Sequence, residues 1–111
     1  MAGTPLKAVL LDSGRDELKR VRRYVIEHFG IDTWETSYGR IKASIAHVRQ
    51  YPASGEVISA LEFTGGRFRE VISGQNRIVY EIRQDAIYIH LIIDTRRDLT
   101  ALLQSIAIRL V

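Results

Sequence analysis

The stretch RFREVISGQNRIVYEIRQDAIYIHLII, Arg67 to Ile93, decides how this chain folds. Its side chains alternate with period two, the spacing of a strand whose residues point to opposite faces. Arg67 to Ser73 predicts one strand, and Ser73-Gly74-Gln75-Asn76 a tight turn with glycine and asparagine available for positive φ. Arg77 to Arg83 predicts a second strand, with Ile78, Tyr80 and Ile82 on one face and Arg77, Val79, Glu81 and Arg83 on the other. Gln84-Asp85 turns the chain again. Ala86 to Ile93 predicts a third strand, with Ile87, Ile89, Leu91 and Ile93 on one face and Tyr88, His90 and Ile92 opposite. Three sequential strands joined by short turns form an antiparallel meander. Its one-sided apolar pattern expects a helical layer on that side.

Upstream the period changes. Leu6 to Leu11 predicts a short strand, and Asp12, Ser13 and Gly14 follow as breakers and cap candidates. Leu18, Val21, Val25 and Phe29 recur at helical spacing and predict a helix over 15–29, with Lys19, Arg20, Arg22 and Arg23 mainly on its outer face. Gly30 is a natural left-handed stop. A second helix is expected from Asp32 or Thr33, where Asp32 and Glu35 resemble a capping box. Trp34, Tyr38, Ile41, Ile45 and Val48 form a seam along it, suited to a neighbouring antiparallel helix. Pro52 ends that helix, because it lacks an N–H and disfavours helical geometry at Tyr51. Downstream, Leu99, Leu102, Leu103, Ile106 and Leu110 predict a C-terminal helix from about Asp98, with Asp98 or Thr95 as its cap. The order is strand, helix, helix, three strands, helix. The expected fold class is α+β: an antiparallel helical hairpin packed on a small, mostly antiparallel sheet of three to four strands.

The 111 residues fit one domain, 1–111, without repeats or linkers. Hydrophobic residues at 46% and charged residues at 26% describe an ordinary globular chain and argue against disorder. The absence of cysteine excludes a disulfide scaffold, a thiol nucleophile and a thiolate metal site. The longest apolar runs, such as Ala8 to Leu11, are four residues, against about 20 needed to span a bilayer. A cytoplasmic protein with no membrane contact is expected, and neither a metal nor another cofactor.

The charge balance, 16 basic against 13 acidic, is too mild to announce a nucleic-acid binder. The kind of base is more informative, because 13 of the 16 are arginine, whose rigid fork suits phosphate and carboxylate. Arg67, Arg69 and Arg77 lie on adjacent strands, and Arg96 and Arg97 end the same meander. These five are expected to gather into one cationic surface. Cross-strand pairing with Glu70, Glu81, Asp94 and Asp98 is the competing expectation. Standard catalytic and nucleotide-binding motifs are absent from the sequence. Of the histidines, His28 and His47 read as helix-surface residues, and mid-strand His90 is the one candidate for a general acid or base.

Arg69-Glu70, Gly74, Arg77-Ile78-Val79-Tyr80 and the ending Asp94-Thr95-Arg96-Arg97-Asp98-Leu99 together resemble the RelE/ParE superfamily of toxins from type II toxin–antitoxin systems. Glu17-Leu18 and Tyr24-Val25-Ile26 are similar to that family's first helix. The resemblance covers most of the chain and agrees with the element order. It implies growth inhibition, a role in plasmid stabilisation and neutralisation by a cognate antitoxin protein. Two activities compete within it: RelE-like mRNA cleavage on the ribosome, and ParE-like inhibition of DNA gyrase. Ile72 and Ser73 stand where the nuclease group has a strand arginine, and no tyrosine or histidine follows His90. RNA cleavage needs a base, an acid and charge stabilisation, and only the last is well supplied.

The Arg-Arg-Asp-Leu ending also looks ParE-like. The expectation is therefore a gyrase-directed toxin that is not an enzyme. Its effector surface would be Arg67, Arg69, Arg77, Arg96 and Arg97, with Asp98 ordering the last helix. An RelE-like endonuclease using His90, Arg96 and Arg97 is one alternative. A non-toxic antitoxin-binding module of the same fold is another. The antitoxin would lay an amphipathic helix on exposed apolar surface of the hairpin, at Leu18, Val21, Val25, Ile41 and Ile45, and meet the basic face with acidic residues.

Overall fold

Alternation and tight turns produce the meander where the pattern puts it. The computed structural model describes residues 3–110, with the side chains of residues 109 and 110 outside the description; Leu110 of the predicted apolar helix face is one of those. The chain runs β1 (Lys7–Leu10), α1 (Asp12–Phe29), α2 (Ile31–Gln50), β2 (Glu56–Val57), β3 (Phe68–Ser73), β4 (Asn76–Arg83), β5 (Ala86–Asp94) and α3 (Leu99–Leu110). The strands form one mixed sheet in the order β1-β5-β4-β3-β2. β1 runs parallel to β5, from Lys7 opposite Ala86 to Leu10 opposite Ile89, and the other pairs are antiparallel. β2 is a two-residue edge strand, Glu56 opposite Glu70 and Val57 opposite Arg69, too short to show a period in sequence.

The helices begin earlier than their caps suggest. α1 starts at Asp12, after Leu11 in extended conformation, with no side-chain cap. Asp12 pairs with Arg15 one turn on, at 3.4 Å. The Ser13 hydroxyl donates to the His90 carbonyl at 2.8 Å and ties the helix to β5. Gly14 sits so close to β5 that a Cβ there would lie 2.8 Å from the Ile89 carbonyl oxygen, which excludes any larger residue without a shift. Gly30, at φ 91°, ends α1 and precedes α2 directly, so the hairpin turns on one residue. Asp32 and Glu35 form no capping box; the α2 cap makes no side-chain hydrogen bond. α2 stops at Gln50, before Pro52, as the missing N–H requires. Asp98 Oδ1 accepts from the Thr100 N–H at 3.0 Å and caps α3.

The sheet is covered on both faces, where the pattern expected a helical layer on one. On the hairpin face, Ile41 and Val48 of α2 pack with Ile78, Tyr80, Ile87, Ile89 and Ile92, and Leu18 and Ile45 close the edge. On the other face, Leu103 and Ile106 of α3 join Ile58, Leu61, Phe68, Val79, Leu91 and Ile93. The cause is a bulge in β5. Val79 pairs with Leu91 and Tyr80 with Ile89, which leaves His90 as the extra residue. Before it Ile87 and Ile89 face the hairpin; after it Leu91 and Ile93 face α3, reversing the strict alternation. Among the described residues, no helix is long and apolar enough to cross a membrane.

Candidate functional site

The five predicted arginines do not share one surface, because each is drawn to a different local acceptor. Arg67 Nε meets Glu81 Oε2 at 3.0 Å. Arg77 places one Nη 3.0 Å from both oxygens of Glu70. Arg69 reaches the main chain instead, donating to the carbonyls of Gly55 at 2.9 Å and Ala53 at 3.1 Å. It holds the loop after α2, as Tyr80 does by donating to the Pro52 carbonyl at 2.7 Å and accepting from the Gly55 N–H at 3.0 Å. Arg67, Arg69 and Arg77 are thereby bound into the sheet and its edge. The cross-strand neutralisation that competed with the single-epitope expectation holds for Arg67 and Arg77.

His90, Arg96 and Arg97 are likewise not assembled into one site. The His90 side chain is 8% exposed. It lies beside the Phe68 ring at a centroid distance of 5.0 Å, with Nε2 3.0 Å from Glu81 Oε1. Arg96 and Arg97 turn toward α1, where Arg97 bonds Glu17 and Arg96 approaches Tyr24. Asp98 acts as a helix cap rather than as part of a charged surface. The proposed antitoxin-binding apolar set also sits inward. Val21 and Ile41 are buried, and Leu18, Val25 and Ile45 are half-buried. Leu18, Ile41 and Ile45 belong to the hairpin's own contact with the sheet, whereas Val21 and Val25 line the cleft beside α1. The exposed large apolar residues of the hairpin are instead Tyr24, Phe29, Ile31 and Tyr38.

A cleft of about 650 Å³ opens between α1 and the end of β5. Val21, Tyr24 and Val25 supply its apolar wall, and Arg20, Arg23, Arg96 and Arg97 stand around it with Glu27 and Asp94. Arg20 and Arg23 are one helical turn apart, so their side chains rise from the same side of α1. Arg96 is tied by a short-range fork: Nε to Asp94 Oδ1 at 2.8 Å and Nη2 to Asp94 Oδ2 at 2.9 Å, while its backbone N–H donates to the same Oδ1 at 2.8 Å. Its guanidinium also lies 5.6 Å from the centroid of the Tyr24 ring. The hydrogen bond from Arg96 holds the Asp94 carboxyl below its usual range, and Asp94 in turn pushes the Arg96 pKa up. The Arg96 side chain remains 67% exposed. Arg20 and Arg23 form no ion pair or hydrogen bond among the described residues. The cleft therefore combines a fixed, internally balanced pair with two uncompensated cations over an apolar wall. Sequence reading placed Arg20 and Arg23 on the outer face of α1, but no spacing rule reveals that the turn after β5 lands beside them.

Residues 9–99 match the family described as the ParE toxin of the type II toxin–antitoxin system parDE, and the chain belongs to that family. The fold is also similar to a solved chain described as a chromosomal ParDE toxin–antitoxin system from P. aeruginosa, with a TM-score of 0.67 at 10% identity. That match covers 80% of this chain and 95% of the other. A comparison with curated protein sequences finds no match. Family membership implies a cognate antitoxin as a partner.

Proposed function

We propose that this chain is a cytoplasmic growth-arresting toxin directed at DNA gyrase and held inactive by its antitoxin. Its effector surface is the part of the predicted arginine set that borders the cleft, Arg96 and Arg97, joined by Arg20 and Arg23 of α1. The observation that carries the reading is this convergence of four arginines on one open cleft in a chain of the ParE toxin family. Arginine forks around an apolar wall suit a protein surface that presents carboxylates or phosphates. The RNA-cleaving alternative has less support, since His90, its candidate acid or base, is buried against Phe68 and Glu81 on the α3 side of the sheet.

Expression without the partner tests the reading. Growth arrest with an induced DNA-damage response and no cuts in ribosome-bound mRNA is expected. Codon-specific cuts in a translating extract would favour RNA cleavage. Folded protein with no effect on growth would favour the non-toxic module.

A further inference from the structure

Charge is segregated along the helical hairpin. Lys19, Arg20, Arg22 and Arg23 crowd one turn of α1, and residues 24–39 then hold Glu27, Asp32 and Glu35 with no lysine or arginine among them. None of these seven side chains makes an ion pair or hydrogen bond among the described residues, although Arg23 and Glu27 stand one turn apart. Arg20, Arg23 and Glu27 all border the cleft, and by helical position they share one flank of the apolar ridge formed by Val21, Tyr24 and Val25. Tyr24 is exposed and stacks on His28 at a ring-centroid distance of 4.1 Å. The open stripe of α1 thus carries cations toward one end, a carboxylate toward the other and aromatic surface between. A phosphate backbone would meet Glu27 and Asp94 as well as the cations. A uniformly acidic surface would set carboxylates against Glu27. A second α1 running parallel would lay cation on cation. A second α1 running the opposite way presents the same stripe with its signs exchanged, and so satisfies both ends at once.

We propose that two copies of this chain associate about a two-fold axis near Tyr24, with their α1 helices antiparallel and each Glu27 seated between Arg20 and Arg23 of the other copy. The register follows from position. With the axis at residue 24, residue 27 of one helix lies opposite residue 21 of the other, between its residues 20 and 23. Val21 then meets the other copy's Tyr24 and His28 rings. One patch serves both copies, so the assembly closes at two chains. Association covers the cleft that Arg96 and Arg97 border. The toxin reading adds only the consequence, that an associated chain is closed to its target and dilution opens it. The association itself does not rest on that reading and is measured on the purified chain, so it fails independently of any growth assay.

Sedimentation equilibrium of the full chain, from about 1 μM to about 0.5 mM, tests this. A reversible rise from the mass of one chain to that of two is expected, weakened by salt. Arg20→Glu with Arg23→Glu, and separately Glu27→Arg, are each expected to weaken association about tenfold or more, because like charges then face each other. Mixed in equal amounts, these two variants are expected to associate as the native chain does, since every contact again joins opposite charges. Lys19→Glu with Arg22→Glu changes the net charge as much as the first variant but lies off the stripe, and a change of about twofold or less is expected. All five residues are exposed, so unchanged circular dichroism is expected throughout. The mass of one chain at every concentration would overturn the proposal. A mass climbing past two chains would overturn the two-fold arrangement. Equal loss in the Lys19 and Arg22 variant would reduce the effect to net charge and remove the α1 assignment. Failure of the mixture to associate would contradict the antiparallel register.

Discussion

Glu81 accepts from Arg67 at 3.0 Å and Arg83 at 2.9 Å, and its Oε1 lies 3.0 Å from His90 Nε2, with its own side chain only 3% exposed. Burial raises its pKa, and the hydrogen bonds and charges of Arg83 and His90 outweigh burial, so the net direction is down. Asp94 is also held low, by Arg96. A carboxylate depressed on folding stabilises above its unfolded value, 4.5 for Glu81 and 3.8 for Asp94, and that stability disappears as pH falls through the folded value. Urea midpoints are therefore expected to hold between about pH 7 and pH 5 as far as these groups go, and to drop at lower pH. Glu81→Gln flattens that acid limb and lowers stability by about 2 kcal/mol at neutral pH, nearer the low end for a broken buried pair because both arginines are half exposed. An unchanged acid limb in the variant would remove Glu81 as its source. Tyr80→Phe takes away the hydroxyl that bridges Pro52 and Gly55, and costs about 1–3 kcal/mol in the same denaturation series.

At the scale of elements, the meander, the hairpin and the C-terminal helix were legible from period and punctuation alone. Gly30 marks the turn between helices, and Gly30→Ala at φ 91° is expected to cost about 1 kcal/mol by urea denaturation. What period did not show is the second core. A strict alternation through β5 puts Ile87 to Ile93 on one face, but the bulge at His90 sends Leu91 and Ile93 to the other, where α3 lies. A single extra residue leaves no mark in a hydropathy pattern, because His90 reads simply as the next polar position. β2 was invisible for a different reason, since two residues define no period. Ile106→Ala opens a cavity under α3 at a residue 1% exposed, and a loss of about 2–5 kcal/mol is expected, with hydrogen exchange of α3 amides rising most.

For the whole molecule, the net charge of +3 conceals an uneven distribution. Arg67, Arg69 and Arg77 are spent on carboxylates and on the loop after α2, whereas Arg20 and Arg23 of α1 and Arg96 and Arg97 after β5 border one cleft. The Arg-Arg-Asp-Leu ending, which with the strand-turn-strand piece before it made up the family resemblance, led to two of the cleft's four arginines. The other two needed the tertiary placement of α1 against β5. Of the five apolar residues expected to meet the antitoxin, Leu18, Ile41 and Ile45 pack in the core on the sheet, and Val21 and Val25 line the cleft.

The most direct measurement is DNA supercoiling by purified gyrase in the presence of this chain, native or carrying Arg96→Ala with Arg97→Ala. Both arginines are themselves exposed and pair at the protein surface with partly buried carboxylates, so the variant is expected to fold, with unchanged circular dichroism as the check. The native chain is predicted to inhibit supercoiling and the double variant to lose at least about tenfold of that potency, roughly 1.4 kcal/mol of binding. Full supercoiling with the native chain, or equal inhibition by the folded variant, would contradict the account.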